Sequence, residues 1–342
     1  MVERRFNCCK GILTTLGRDS DEEMMLRKHL VRSLIALVGS AALAVSVVVY
    51  MTRIAPRWLE VVRLRVAIPT LLDEWAGVRI AHLSDFHAGG AIPLELLQRA
   101  KSIALAESPD IIALTGDFYD EGRRAEVGDL FTAWPGGVAV FAVLGNHDHR
   151  ASEEDRSRLL NELSAGGVEV LSNRAVSIDL YGRPAWIVGV DDPYSWKMEE
   201  AQAFGAMPVS AEALLYLAHS PAAVNTLPVG RVRLMVSGHT HGGQIRLTPD
   251  GRVPFVALAR RLRGNPERPD PDIHRGVHWK RGSVLVISNG LGVSKLPWRF
   301  RTRPQVILIE LAQAAADGPA CDDVQRYVQR LQPEKPWVRW FS

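Results

Sequence analysis

Thiols are scarce in this chain and badly placed for chemistry. Cys8 and Cys9 are adjacent and Cys321 lies near the other end, so they offer neither a disulfide framework nor a CxxC metal knot. A dominant charge is missing as well. Lys and Arg number 41 against 38 Asp and Glu, a formal net charge of +3, and the arginines are scattered, which excludes the concentrated basic surface that a nucleic-acid partner demands. No internal repeat is present. With 47% hydrophobic and 23% charged residues, the chain is not a disordered polymer and can bury the core of one large globular domain with extensions.

Long apolar runs are also missing, with one exception. From Ser33 to Thr52, SLIALVGSAALAVSVVVYMT carries no charge and is bounded by Arg32 and Arg53. Twenty such residues are enough to cross a bilayer as a helix. The residues before it, with the acidic stretch Asp19, Asp21, Glu22, Glu23, argue for an uncleaved anchor rather than a signal peptide. Arg18, Arg27, Lys28 and Arg32 on one flank match Arg53, Arg57, Arg63 and Arg65 on the other, so the positive-inside rule assigns no orientation. The expected organisation is an N-terminal segment 1–32, a transmembrane helix 33–52, a lead-in strand and linker 53–76, a main domain 77–311 with a basic insert at 253–280, and a tail 312–342.

Past the apolar segment, β-type runs alternate with helical patterns, which indicates an α/β domain. Trp58 to Val66 reads as the lead-in strand, and Val78 to Ser84 as the first of about eight core strands. Asp110 to Thr115 and Val138 to Leu144 are near-continuous apolar runs, as strands buried on both faces should be. Helices are expected after Pro93, with Leu94, Leu97, Ala100 and Ala104 inward, and between Ser152 and Gly166.

What the chain has in place of thiols is a set of oxygen and imidazole donors in five short blocks: Asp85-Phe-His87, Gly116-Asp117, Gly145-Asn-His-Asp148, His219, and Gly238-His-Thr-His241. Each follows an apolar run and therefore falls at the carboxyl end of an expected strand, the edge where ligands bind in α/β sheets. The i, i+2 spacing of Asp85 with His87 and of His239 with His241, taken as extended backbone, would put each pair on one side. Gly116, Gly145 and Gly238 would allow the sharp departure and close approach that a crowded site needs. Asp, Asn and His together suit Mn, Fe, Zn or Co.

On these blocks the chain resembles the calcineurin-like metallophosphoesterase family, whose pattern D-x-H, G-D, G-N-H-[DE], H and G-H-x-H is filled at every position from roughly Gly77 to Leu311. Val190-Asp-Asp-Pro193, His219-Ser-Pro221, Asn289-Gly-Leu-Gly292 and Pro297-x-Arg299-Phe300 make it similar to the membrane-anchored bacterial branch, a resemblance that implies a single-pass protein of the bacterial cytoplasmic membrane with the side of its catalytic domain left open. The resemblance implies a four-layer α/β/β/α sandwich and two divalent metal ions, with Mn favoured. One ion would take Asp85, His87, Asp117 and His241, and the other Asp117, Asn146, His219 and His239, so that Asp117 bridges. It implies in-line displacement at phosphorus, with His147 off the metals to protonate the leaving oxygen and Asp148 to orient it. His82 is read as a core imidazole, His149 as following the motif, His274 and His278 as solvated, and Asp191 and Asp192 as either a turn closed by Pro193 or a support for the site.

An anchor and a basic insert point to a phosphoester substrate carried by lipid and to membrane lipids as partners. Val253 to Arg263, with Arg260, Arg261 and Arg263, has the composition of a lip lying in an anionic interface, and Trp337, Trp340 and Phe341 suit the same environment. The sharpest expectation is pyrophosphate cleavage of UDP-2,3-diacylglucosamine in lipid A assembly. The alternatives are a broad phosphodiesterase or phosphatase on envelope or soluble phosphoesters, and a non-catalytic scaffold.

Overall fold

The computed structural model describes residues 6–68, 71–120, 127, 129–248, 273–314 and 328–330. The chain divides into two compact units, 1–50 and 51–342. The first is α1 (Phe6–Val49), a single helix that continues N-terminally through the segment expected to precede the span. Residues Glu23–Arg57 hold a helical stretch of mean hydropathy 2.4, long and apolar enough to cross a membrane and with none of that apolar window buried.

The second unit is built on two sheets. Its strands in chain order are β1 (Glu60–Ile68), β2 (Arg79–Leu83), β3 (Ile111–Leu114), β4 (Ala139–Ala142), β5 (Glu169–Val170), β6 (Arg174–Leu180), β7 (Arg183–Val190), β8 (Ala213–Ala218), β9 (Val232–Ser237), β10 (Gly276–Lys280), β11 (Ser283–Ile287), β12 (Gln305–Gln313) and β13 (Val328–Arg330). One sheet runs β13-β1-β12-β2-β3-β4-β5 and the other β10-β11-β9-β8-β7-β6. Strands β2 to β5 are mutually parallel, as are β7, β8, β9 and β11. Each parallel block therefore presents its carboxyl ends along one edge.

Alternation along the strands sorts side chains into layers. Ile80, Ile111, Phe141 and Ile309 of the first sheet meet Ile187, Leu215, Leu234 and Val286 of the second in the central core. Ala81, Leu83, Ile112 and Leu114 face outward, where α2 (Leu94–Ala106) buries Leu97, Ala100 and Ala104 and α4 (Glu153–Ala165) buries Leu159 and Leu163. Ser152 caps α4 by accepting the Asp155 N–H, and Gly166 closes it, as expected of that segment. Between them in sequence lies α3 (Asn146–Arg150). Over the second sheet the outer layer is thin: Val188, Tyr216 and Met235 are covered by α5 (Glu200–Ala203) with Met207 and by a 3-10 turn at Pro221–Asn225.

The insert is not wholly an addition. Its last residues form β10, an edge strand antiparallel to β11. His278 is half-buried there with Nε2 2.9 Å from the Arg275 carbonyl, and His274 is half-buried too, so neither is the solvated side chain that the composition of the insert suggested. The expected lip over 253–263 and the aromatic tail residues lie outside the described residues.

Candidate metal centre

Five strands, parallel within each of the two sheets, deliver the expected donors to one place. Asp85 and His87 follow β2, Asp117 follows β3, Asn146 opens α3 after β4, His219 follows β8, and His239 and His241 follow β9. Asp85, His87, Asp117, Asn146, His219 and His241 are buried, while His147 and His239 are half-buried at the mouth.

The Asp117 Oδ2 atom sits centrally, 3.5 Å from His87 Nε2 and 3.3 Å from His219 Nε2. On one side, His87 Nε2 faces His241 Nε2 at 3.3 Å, and His241 Nε2 lies 3.5 Å from Asp85 Oδ1. On the other, Asn146 Oδ1 lies 3.2 Å from His219 Nε2 and 2.8 Å from His239 Nδ1. Ring nitrogens and carboxylate oxygens facing one another in a buried space are a donor set that fits divalent cations. Asp85, His87, Asp117 and His241 would hold one and Asp117, Asn146, His219 and His239 the other, with Asp117 Oδ2 reaching both.

Supporting bonds aim the donors. His219 Nδ1 lies 2.7 Å from the Thr115 carbonyl, which can only accept, so Nδ1 carries a proton and Nε2 is the nitrogen turned toward the site. Asp85 accepts from Ser84 Oγ at 2.7 Å and from the His239 N–H at 3.0 and 3.1 Å. Asp120 Oδ1 stands 3.7 Å from His87 Nδ1, behind the ring. Asp148 holds backbone: its Oδ2 accepts from the Asp117 N–H at 2.7 Å and the Gly145 N–H at 2.8 Å, and its Oδ1 from the Phe118 N–H at 3.0 Å. It thereby ties the loop after β3 to the start of α3. The His147 N–H in turn donates to Asp117 Oδ1 at 2.9 Å, and its ring lies edge-on to that of His87 with centroids 4.8 Å apart.

The backbone corrects one expectation. Asp85, His87, Asp117, His239 and His241 have φ of 51°, 43°, 54°, 66° and 49°, so neither i, i+2 pair is extended. The chain leaves each strand through left-handed turns that bring side chain and main chain round together, a conformation costly for residues with a Cβ and concentrated at functional sites. Space, rather than φ, is what demands glycine at two positions. A Cβ on Gly145 would stand 2.2 Å from Asp117 Oδ1, and one on Gly238 would stand 2.1 Å from Asp85 Oδ2.

Charges at the centre are mutually dependent. Burial opposes an imidazolium at His219, but Asp117, Asp85 and Asp192 outweigh it and hold its pKa well above the ordinary value. Burial would raise Asp117, yet the histidines His219, His87 and His147 hold it well below the carboxylate range. Burial pushes Asp85 and Asp192 upward, and lowers His241, where neighbouring His87 and Arg299 add to the effect.

Arg299 explains two motifs that chemistry alone left unassigned. It is fully buried, and its Nη2 donates to the carbonyls of Asn289 at 2.9 Å, Gly290 at 3.1 Å and Gly292. The loop it holds lies against the ligand strand: Leu291 N–H donates to Ser84 O at 2.9 Å, and a Cβ on Gly290 would stand 2.6 Å from that of Asp85. His82 is a core residue as read, buried with Nε2 2.8 Å from Thr115 Oγ1. His149 pairs with Asp191 at 3.3 Å, while Asp192 turns toward His219 and His239.

Known proteins place this geometry. The profile of the calcineurin-like phosphoesterase family matches residues 78–243, from β2 to just past His241. The chain is 29% identical over 270 residues to phosphodiesterase YaeI of Escherichia coli, covering 77% of this chain and 92% of the relative. It is 30% identical over 235 residues to the uncharacterized metallophosphoesterase YkoQ of Bacillus subtilis, covering 67% and 82%. To UDP-2,3-diacylglucosamine pyrophosphatase LpxG of Chlamydia trachomatis it is 23% identical over 310 residues, covering 76% and 92%. With its donors on the strand ends where a phosphoester-hydrolysing centre is built, the chain belongs to the calcineurin-like phosphoesterase family.

Proposed function

We propose that the protein is a membrane-anchored, dinuclear phosphodiesterase or pyrophosphatase whose substrate carries its phosphate on a lipid. The carrying observation for the dinuclear chemistry is Asp117 Oδ2, set within 3.5 Å of a histidine from each of the two donor groups. When bound, two divalent ions, with Mn favoured, would supply charge for two phosphate oxygens and an activated water for in-line attack. The chain's own residues do the rest. His219, with Nδ1 committed to Thr115, keeps one orientation; Asp148 fixes the backbone of Asp117; and His147, half-buried at the mouth, is the proton donor to the leaving oxygen.

The lipid part rests on other support. The helical stretch Glu23–Arg57 leaves its apolar window wholly uncovered in the chain itself, and a lipid bilayer is the environment that would cover it. A relative in Danio rerio is called a transmembrane protein with metallophosphoesterase domain, at 25% identity over 90% of this chain. LpxG's name supplies the substrate to try first, UDP-2,3-diacylglucosamine. A broader phosphodiesterase on envelope or soluble phosphoesters is the second reading, favoured by the greater similarity to phosphodiesterase YaeI. Detergent-purified protein with Mn²⁺, offered UDP-2,3-diacylglucosamine and a soluble aryl phosphodiester, separates them. UMP release supports the lipid-linked reading; turnover of the aryl diester alone removes that substrate and leaves the second.

A further inference from the structure

We propose that Asp192 is a further ligand of the ion assigned to Asp117, Asn146, His219 and His239, an inference that rests on the dinuclear reading above. Asp192 lies just beyond β7, whose last residue, Val190, pairs with Ala218, the last of β8, and His219 follows directly. Sheet register therefore brings Asp192 to the same edge as the donors assigned above. A carboxylate oxygen of Asp192 and ring nitrogens of His219 and His239 all lie within 4.8 Å of one another.

Polar accounting shows which oxygen is available. Asp192 is 0% exposed, its Oδ2 accepts the Tyr194 N–H at 2.9 Å, and its Oδ1 is buried with no hydrogen-bond partner among the described residues. A buried carboxylate oxygen with nothing to accept from is expensive unless a cation meets it. Adjacent Asp191 is used differently: its Oδ2 accepts from Ser172 Oγ at 2.5 Å and Asn173 Nδ2 at 3.1 Å, stitching β7 to the start of β6. The turn that carries Asp192 is also fixed to the site from the other side, because the Tyr194 ring stacks on His239 with centroids 5.0 Å apart.

Charge supplies the reason. The ion beside Asp85 has that carboxylate to itself and shares Asp117. The other has only the shared Asp117, with a neutral amide and two imidazoles. Asp192 gives it a carboxylate of its own and makes its donors three oxygens and two nitrogens, a set that leans toward Mn²⁺.

The test is Mn²⁺ binding to full-length, detergent-purified protein, followed by equilibrium dialysis and by electron paramagnetic resonance. Asp192→Asn keeps an oxygen for the Tyr194 N–H while removing the charge; Asp191→Asn is the neighbouring control. The wild type and Asp191→Asn should bind two ions per chain. Asp192→Asn should bind one ion as the wild type does and the second about 10–100-fold more weakly. Two ions at wild-type affinity in Asp192→Asn overturn the proposal while leaving the dinuclear reading standing. Equal weakening of both ions also overturns it, since Asp192 would then act through the fold of the edge. Fewer than two ions in the wild type overturn the dinuclear reading and this proposal with it.

Discussion

Replacing Gly238 with alanine is a small change aimed at one ligand. Gly238 is not among the positive-φ residues, so alanine meets no backbone penalty there. The added Cβ would stand 1.9 Å from Ser84 Oγ and 2.1 Å from Asp85 Oδ2, where ordinary contact begins at 3.4 Å. Both neighbours are fully buried and cannot swing into solvent. The Asp85 carboxylate must therefore move by roughly 1 Å, a misplacement that costs on the order of 10²-fold in rate, or about 2.7 kcal/mol of barrier. It also gives up its bonds from Ser84 Oγ and the His239 N–H, while overpacking should lower stability by about 1–3 kcal/mol. Metal analysis, aryl phosphodiester turnover with Mn²⁺ and denaturant unfolding read the three effects separately. Expected are a folded protein, weakened binding of the ion beside Asp85, and about 10²-fold slower turnover. Gly238→Ala with two tightly held ions and wild-type turnover would refute the packing argument.

His147→Ala should slow turnover by about 10²–10⁴-fold while metal content stays near the wild-type value, and loss of metal would contradict its place off the ions. Asp148→Asn must turn an amide N–H toward one of the backbone N–H groups its carboxylate now accepts from, so unfolding should become easier by about 2–3 kcal/mol, and an unchanged midpoint would contradict the backbone-holding role. Burial lowers the His82 pKa to about 3, below its unfolded value, so the stability it contributes is present above pH 6.5 and lost as pH falls toward 3. Compared with His82→Gln, the wild type should lose about 2.5 kcal/mol more between pH 7 and pH 4.5, and parallel pH profiles would contradict it.

Much of this architecture is written in the order of residues, and what is not has a common cause. Every interior strand carries an apolar run or an alternating apolar pattern that marks it. The four strands without such a mark, β5, β6, β10 and β13, are the sheet edges among the described residues. Along β6, Ala175 and Leu180 are buried while Arg174, Ser177 or Asp179 lie outward or half-covered, which breaks any continuous signal. The donor residues were legible because their types and order are distinctive. Their left-handed backbone was not, since no residue preference announces φ near 50° at Asp85 or His87. Asp120 escaped notice although it stands three residues beyond Asp117, because its place behind His87 depends on how the loop folds back. Asp191 and Asp192 read alike in sequence; only the turn at Pro193 separates the one that braces β6 from the one that enters the site.

The most direct test of the dinuclear account is turnover of an aryl phosphodiester as a function of bound Mn²⁺, in the wild type beside Asp117→Asn. Activity that rises only as the second ion binds, and that is abolished with weakened binding of both ions in Asp117→Asn, is the predicted result. Full turnover with one ion, or turnover that survives Asp117→Asn, would contradict it.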